Sequence, residues 1–369
     1  MSSPLKPMAS LLVVALAACG PGGAGDTLVL DKPEARLGAP FPALSNVVEA
    51  PGGRIFFADT KNKVFLSADF GTGKVDTVGV RVDTIGHGGT DSAQYKFPGV
   101  VAKLAGDTVA LVDFAAERTT LWNFAGRYLG VMPIARVRGT TPPLLFDAVG
   151  HGYKVDYQAV VGGGEPGGVF RPESIPVLRI DRATGVADTI AHLSAPDYGD
   201  ARAGEQVQTV PKIFGPNDLF GATPDGAVWV ARARSNRLDW RATDGTWTRG
   251  DERSYHKVSV TAKDQARFME RIKERGLPQG VNVTFPFADT KPPFELGATT
   301  FDGQVWLQMS RAGEDTPITY EVFGPGGKFV RYVRLPAGAS LAGFGADGAV
   351  YAAVKAADGT KTIARFRLR

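Results

Sequence analysis

Gln94-Tyr95-Lys96-Phe97-Pro98-Gly99-Val100-Val101-Ala102, Gly106-Asp107-Thr108-Val109-Ala110-Leu111-Val112-Asp113, and Arg118 with Leu121-Trp122-Asn123-Phe124-Ala125-Gly126-Arg127-Tyr128-Leu129 decide how this chain folds. Between Gly86 and Met132, short runs of β-branched and aromatic residues alternate with Gly, Pro and Asp turn residues. Runs of that length, punctuated in that way, predict four antiparallel strands.

Variants of the unit recur outward from this stretch. An acid-glycine turn followed by a strand appears as Asp225-Gly226-Ala227-Val228-Trp229-Val230, Asp302-Gly303-Gln304-Val305-Trp306-Leu307 and Asp347-Gly348-Ala349-Val350-Tyr351-Ala352. Looser copies are Gly52-Gly53-Arg54-Ile55-Phe56-Phe57, Gly106-Asp107-Thr108-Val109-Ala110-Leu111 and Gly152-Tyr153-Lys154-Val155-Asp156-Tyr157. Where uninterrupted, the period is roughly 45 to 53 residues, in the range of four-stranded repeat units. The reading is an all-β chain: a six-bladed β-propeller of four-stranded antiparallel blades. Radial repetition protects the edges that a lone sheet would expose. Thr27-Leu28-Val29-Leu30 has no hairpin partner beside it and is expected to close the ring on the last blade.

Composition agrees with a turn-rich fold. The 369 residues include Gly 46 and Pro 25, with 43% hydrophobic residues, enough to bury a large core. Lys and Arg total 42 against 38 Asp and Glu, a net charge of +4. So small an excess, without zinc spacing or a basic-aromatic ladder, gives no reason to expect a nucleic-acid partner.

The domain reading is residues 1–18 a signal segment, 19–26 a linker and 27–369 the propeller. Met8 to Ala18 is apolar but too short to span a bilayer. It leads into Leu16-Ala17-Ala18-Cys19-Gly20, which resembles the bacterial lipobox. That resemblance implies cleavage before Cys19, acylation of its sulfur and amine, and attachment to a membrane through the lipid. Gly20 in place of Asp implies, by the same likeness, sorting to the outer membrane of the cell envelope. Cys19 is also the only cysteine, so no disulfide is available to the fold. The Gly- and Pro-rich Gly20 to Asp26 reads as a flexible tether.

Phe97-Pro98-Gly99-Val100-Val101-Ala102 with Val112-Asp113 and Arg118 resembles the NHL-repeat blade, as does Val47-Val48 leading to Ala58-Asp59-Thr60-Lys61-Asn62-Lys63-Val64. Lys63 stands where that pattern has Arg, and Glu117 where it has Asn. The match covers roughly residues 40 to 135, and the broader likeness is to TolB-like six-bladed propellers. In such blades Asp59, Asp113 and Arg118 tie neighbouring strands together.

Two segments interrupt the repeat. Gly162-Gly163-Gly164-Glu165-Pro166-Gly167-Gly168 reads as a loop, since a phosphate cradle needs a following helix and a Lys-Ser/Thr pair. The other, about residues 261–276, predicts the one inserted helix: Thr261 and Asp264 can cap it, Phe268, Met269 and Ile272 form an apolar stripe, and Gly276 and Pro278 stop it. Its other faces carry Arg267 and Arg271 among five basic residues, either a solvated face or a docking face for a partner or lid.

Chemistry-bearing residues are sparse. His87, His151, His192 and His256 are scattered, and no G-x-S-x-G elbow is present. Tyr153, Asp156 and Tyr157 alternate so that polar groups can face a channel. Gly215-Pro216-Asn217-Asp218-Leu219, with Asp225-Gly226 and Trp229, resembles a segment of the gluconolactonase-type propellers. That likeness implies Asn217 as a ligand of a divalent metal such as Ca²⁺, with Glu49 the positional candidate for a carboxylate ligand. The residue-level alternative is that Asn217-Asp218 caps a turn. The resulting expectation is a binding or scaffold module for an envelope protein, small molecule or glycan, with no cofactor. A metal-dependent lactonase and an accessory subunit of a membrane complex are the alternatives.

Overall fold

The computed structural model describes residues 26–83, 93–132, 142–156, 172–274, 276, 282–356 and 358–368. Cys19, the Gly86-His87-Gly88-Gly89 stretch, Tyr157, the Gly162–Gly168 segment and Arg275 lie outside them.

The opening stretch forms four antiparallel strands, Pro98–Leu104, Thr108–Asp113, Arg118–Trp122 and Tyr128–Val131, paired in chain order. Gln94–Tyr95 pairs instead with Val80–Arg81, in parallel. The same up-and-down order recurs with inner strands Val47–Glu49, Leu145–Phe146, Leu219–Ala222, Phe294–Thr299 and Ala339–Phe344. We number these units one to six by their inner strands along the chain, the Pro98–Leu104 sheet being unit two. Each acid-glycine phrase of the sequence is the turn between the first and second strands of its unit. In the third unit the turn glycine is Gly150 (φ +99) rather than Gly152, and Gly152 begins the strand.

These turns are short and self-closing. Gly226 N–H donates to Thr223 O at 2.9 Å and Gly303 N–H to Thr300 O at 3.1 Å, while the Thr223 and Thr300 hydroxyls donate to Asp225 and Asp302. Gly226 sits at φ +89 and Gly303 at φ +81, in the left-handed region that a side chain disfavours.

The second strands carry unbroken apolar runs because other units cover both of their faces. Ile55, Phe56, Phe57 and Ala58 are wholly buried, as are Val109, Ala110, Leu111 and Val112. One cluster joins Phe56 and Phe65 of unit one to Val101, Leu111 and Trp122 of unit two; another joins Trp306 and Val322 of unit five to Phe344 and Val350 of unit six.

The turns touch one another from unit to unit. Ala105 N–H of unit two donates to Ala148 O of unit three, Ala148 N–H donates to Pro224 O of unit four, and Ala346 N–H of unit six donates to the Glu49 carboxylate of unit one at 2.6 Å. Lys103 of unit two reaches across the middle, its Nζ 4.6 Å from the ring centroid of Phe301 in unit five. Mostly β structure, built from repeated sheets whose inner strands share one centre, is a β-propeller.

The first and last sheets merge where Val47 and Val48 pair in parallel with Gly343 and Phe344. The closing element differs from the expectation. Thr27–Val29 pairs in parallel with Tyr332, Val333 and Arg334 as a fifth strand on the edge of unit five. Leu30 is the cause: it is buried in the cluster shared by units five and six, beside Trp306 and Val333. The chain then crosses to the last sheet, where Ala35–Arg36 pairs with Arg365 and Ala364 as its outermost strand.

Gly343 makes the seam possible, because a Cβ there would collide with the Val47 carbonyl oxygen. Backbone on both sides leaves nothing free to yield, so Gly343→Ala is expected to cost about 2–3 kcal/mol. Urea unfolding checks this, and an unchanged midpoint would refute the seam's role.

Candidate functional site

One α-helix occurs among the described residues: α1, Ala262–Glu274. Its capping box forms as the residues predict. Asp264 N–H donates to Thr261 Oγ1 at 3.2 Å, and Thr261 N–H and Oγ1–H donate to Asp264 Oδ2 at 2.9 and 2.8 Å.

The apolar stripe is a lesser anchor than the pattern suggests. Phe268 meets Phe285 and Phe287 at ring centroid distances of 5.3 and 5.7 Å, yet Phe268, Met269 and Ile272 stay half-buried. The buried residue of α1 is Asp264. Its Oδ1 accepts from Lys291 Nζ at 2.8 Å, and the same ammonium donates to Arg311 O at 3.0 Å. Burial by itself works to raise the Asp264 pKa. Hydrogen bonds from Lys291 and Thr261, with the lysine's charge, outweigh it and hold the carboxyl down at about 2.

Between α1 and the starts of the inner strands of units four and five lies a groove of about 360 Å³. Asn217, Arg267 and Arg271 line it together, with Lys291, Arg311, Asp264, Glu295 and Glu314. Four cationic groups therefore face three carboxylates. Those carboxylates are in use: Asp264 holds Lys291, Glu314 holds Arg267 at 3.0 Å, and Glu295 accepts the Gln308 amide at 2.9 Å. Arg271 is exposed and has no hydrogen bond or ion pair among the described residues. The groove's unspent capacity is positive.

The Asn217-Asp218 pair divides its labour. Asp218 is buried and does the structural work, accepting from Ser194 N–H, Ala233 N–H and Arg232. Asn217 is exposed on the groove, with one long contact from its Nδ2 to Gly215 O at 3.4 Å.

Glu49 is not brought to Asn217. It ends the inner strand of unit one and is spent on Ala346 N–H at the turn face, whereas Asn217 stands before its inner strand, at the other end. Asp156 does not reach the groove either. It is 3% exposed at the end of the second strand of unit three, where units one and two carry Asp59 and Asp113. Those two are turn-binding carboxylates; Asp113 accepts from Lys96, Phe97, Ala115 and Ala116 N–H groups.

A divalent metal does not fit these donors. Ca²⁺ takes six to eight oxygens, and no group of three or more His, Cys, Asp or Glu side chains could hold an ion among the described residues. Near Asn217 the carboxylates are paired with cations or an amide.

No protein-family model matches the chain, nor does any curated protein sequence. Among solved structures it resembles a gluconolactonase from Xanthomonas campestris at 16% identity, over 94% of this chain and 99% of that one, TM-score 0.42. It also resembles regucalcin, a calcium-binding protein from Agrobacterium tumefaciens, at 11% identity over 93% and 97%, TM-score 0.39. A member of the DUF4221 family from Bacteroides vulgatus matches at 9% identity over 94% and 97%, TM-score 0.47. Likeness at these levels carries no activity across.

Lys291→Met should free α1, since it leaves the Asp264 carboxylate buried without its partner, at about 3–5 kcal/mol. Trypsin cleavage at Lys263, Arg267 and Arg271 should then accelerate on the order of a hundredfold, and Asp264→Asn added to it should restore part of the protection. Acid should act similarly. A carboxyl whose folded pKa is about 2 against 3.8 contributes stability that is complete above pH 3.8 and lost as pH falls toward 2. Helix protection that stays constant from pH 5 to 2 would contradict this.

Proposed function

We propose that the six units are the four-stranded blades of one six-bladed propeller, held at the cell envelope by lipid on Cys19, in the outer membrane. Its groove beneath α1 binds an acidic glycan of that envelope. The observation that carries this reading is Arg271, unpaired among the described residues, beside three further cations in a groove of about 360 Å³, a volume suited to one or two sugar rings. Arg271 and Arg267 would take the acidic groups of the ligand, and the exposed Asn217 amide would take a hydroxyl. The groove lies on a stiff ring of sheets, so little ordering cost accompanies binding.

Calorimetry of the mature chain with polygalacturonate and with neutral dextran tests the groove. The acidic polymer should bind with an affinity that falls as salt rises, and Arg267→Ala with Arg271→Ala should weaken it about tenfold or more. Equal binding of the neutral polymer would sink the reading. The metal-dependent lactonase is the second reading and the less supported one, because Asn217 is exposed on the groove but the carboxylates around it are already paired. It requires saturable heat on titration with CaCl₂ and its loss in Asn217→Ala. The accessory-subunit reading requires α1 as a dock, and deletion of residues 262–274 should then abolish co-purification.

The tether is tested separately. Cys19→Ser should move the expressed protein from the detergent phase to the aqueous phase on Triton X-114 partition; a protein that stays in the detergent phase would show an anchor other than Cys19.

A further inference from the structure

A second cavity, about 590 Å³, opens at the opposite end of the inner strands, between the turns of units five and six. Trp306 lines it, wholly buried, and its indole Nε1 has no hydrogen-bond partner among the described residues. A buried N–H without an acceptor is a cost the rest of the fold must carry.

The preceding interface shows the same arrangement satisfied. Trp229 pairs with Gly221 in unit four as Trp306 pairs with Ala298 in unit five. Trp229 Nε1 donates across the interface to Thr299 Oγ1 at 2.9 Å, and Thr299 is the last residue of the next inner strand, opposite Val305. The residue in that place in unit six is Phe344, opposite Val350. Its ring meets Trp306 edge-on at 4.9 Å and offers no acceptor. A phenylalanine thus stands where the neighbouring interface has a threonine, and the donor is left buried without an acceptor among the described residues, in a side chain that borders a cavity walled on its apolar side by Val333 and Leu368. At the mouth, Asp302 and Asp347 outnumber Arg331, which disfavours an anion.

We propose that this cavity is a binding site for a small, neutral, largely apolar ring compound whose carbonyl or ether oxygen accepts the Trp306 Nε1–H. The ring fills the hollow beside Phe344, and the acceptor supplies what Thr299 supplies to Trp229.

The test is nuclear magnetic resonance of the ¹⁵N-labelled mature chain, reading the five tryptophan indole signals with three probes of similar size. Acetophenone carries the acceptor, ethylbenzene lacks it, and benzoate adds a charge. Trp306→Phe assigns the signal by its loss. Acetophenone should shift that signal saturably and bind about three- to tenfold more tightly than ethylbenzene, with benzoate weaker than acetophenone. Phe344→Thr should move the signal before any probe is added and abolish the preference for acetophenone. It also assigns the signal should Trp306→Phe fail to fold. No saturable shift, equal affinity for acetophenone and ethylbenzene, or a preference that survives Phe344→Thr would each overturn the site.

Discussion

Everything in this molecule waits on the contact between Val47-Val48 and Gly343-Phe344. Until those strands pair, a chain of repeated sheets has two free edges and two uncovered apolar faces. Bringing segments nearly three hundred residues apart together costs loop-closure entropy, but that cost grows only with the logarithm of length. The gain is a continuous sheet across the seam, with Glu49 reaching over it to Ala346 N–H. Glycine is needed twice at this point: a Cβ on Gly343 would strike the Val47 carbonyl, and one on Gly345 would strike the Glu49 carboxylate. Glu49 is therefore a closure residue, and its charge is committed to the fold rather than to a ligand.

The fold was legible because the signals that carry it are local. An acid-glycine turn and a run such as Ile55-Phe56-Phe57-Ala58 are read within ten residues, and each fell at the first turn and second strand of its unit. Leu30 shows where such reading ends. Its burial against Trp306 and Val333 sets which sheet receives Thr27–Val29, and nothing near Leu30 in sequence announces those partners. The candidate site divides in the same way. Asn217, Arg267 and Arg271 share a groove, but Lys291, Arg311 and Glu295 were unmarked, since their roles depend on the chain returning from α1 to unit five. Glu49 and Asn217 lie at opposite ends of their inner strands, and likeness of motif does not tell which end of an inner strand a residue occupies.

Alpha helices on the outside of β-proteins are usually fastened by an apolar stripe. Here Phe268 supplies a modest version of that contact, while the buried partner is an ion pair that doubles as the helix cap. Such a pair stabilises less than well-packed hydrophobic residues of equal volume would, because both charges give up water. It is more particular about position, since only one placement of α1 satisfies Thr261, Lys291 and Asp264 together. That particularity keeps Arg267 and Arg271 over the start of the unit-four strand, and the groove follows from it.

The two ends of the ring differ in chemistry for a reason rooted in how each is built. Loops meet at one end, where α1 is inserted and long polar side chains have room, so charge accumulates and Arg271 is left over. Tight Asp-Gly turns meet at the other, where backbone bonds and buried aromatics leave little space for long side chains. Cavities there arise from a mismatch between packed residues rather than from loop sequence. Phe344 in place of a threonine is such a mismatch: it removes an acceptor and adds an aromatic wall in one substitution. A repeat fold exposes this kind of departure, because the satisfied form, Trp229 with Thr299, stands one interface away under the same constraints.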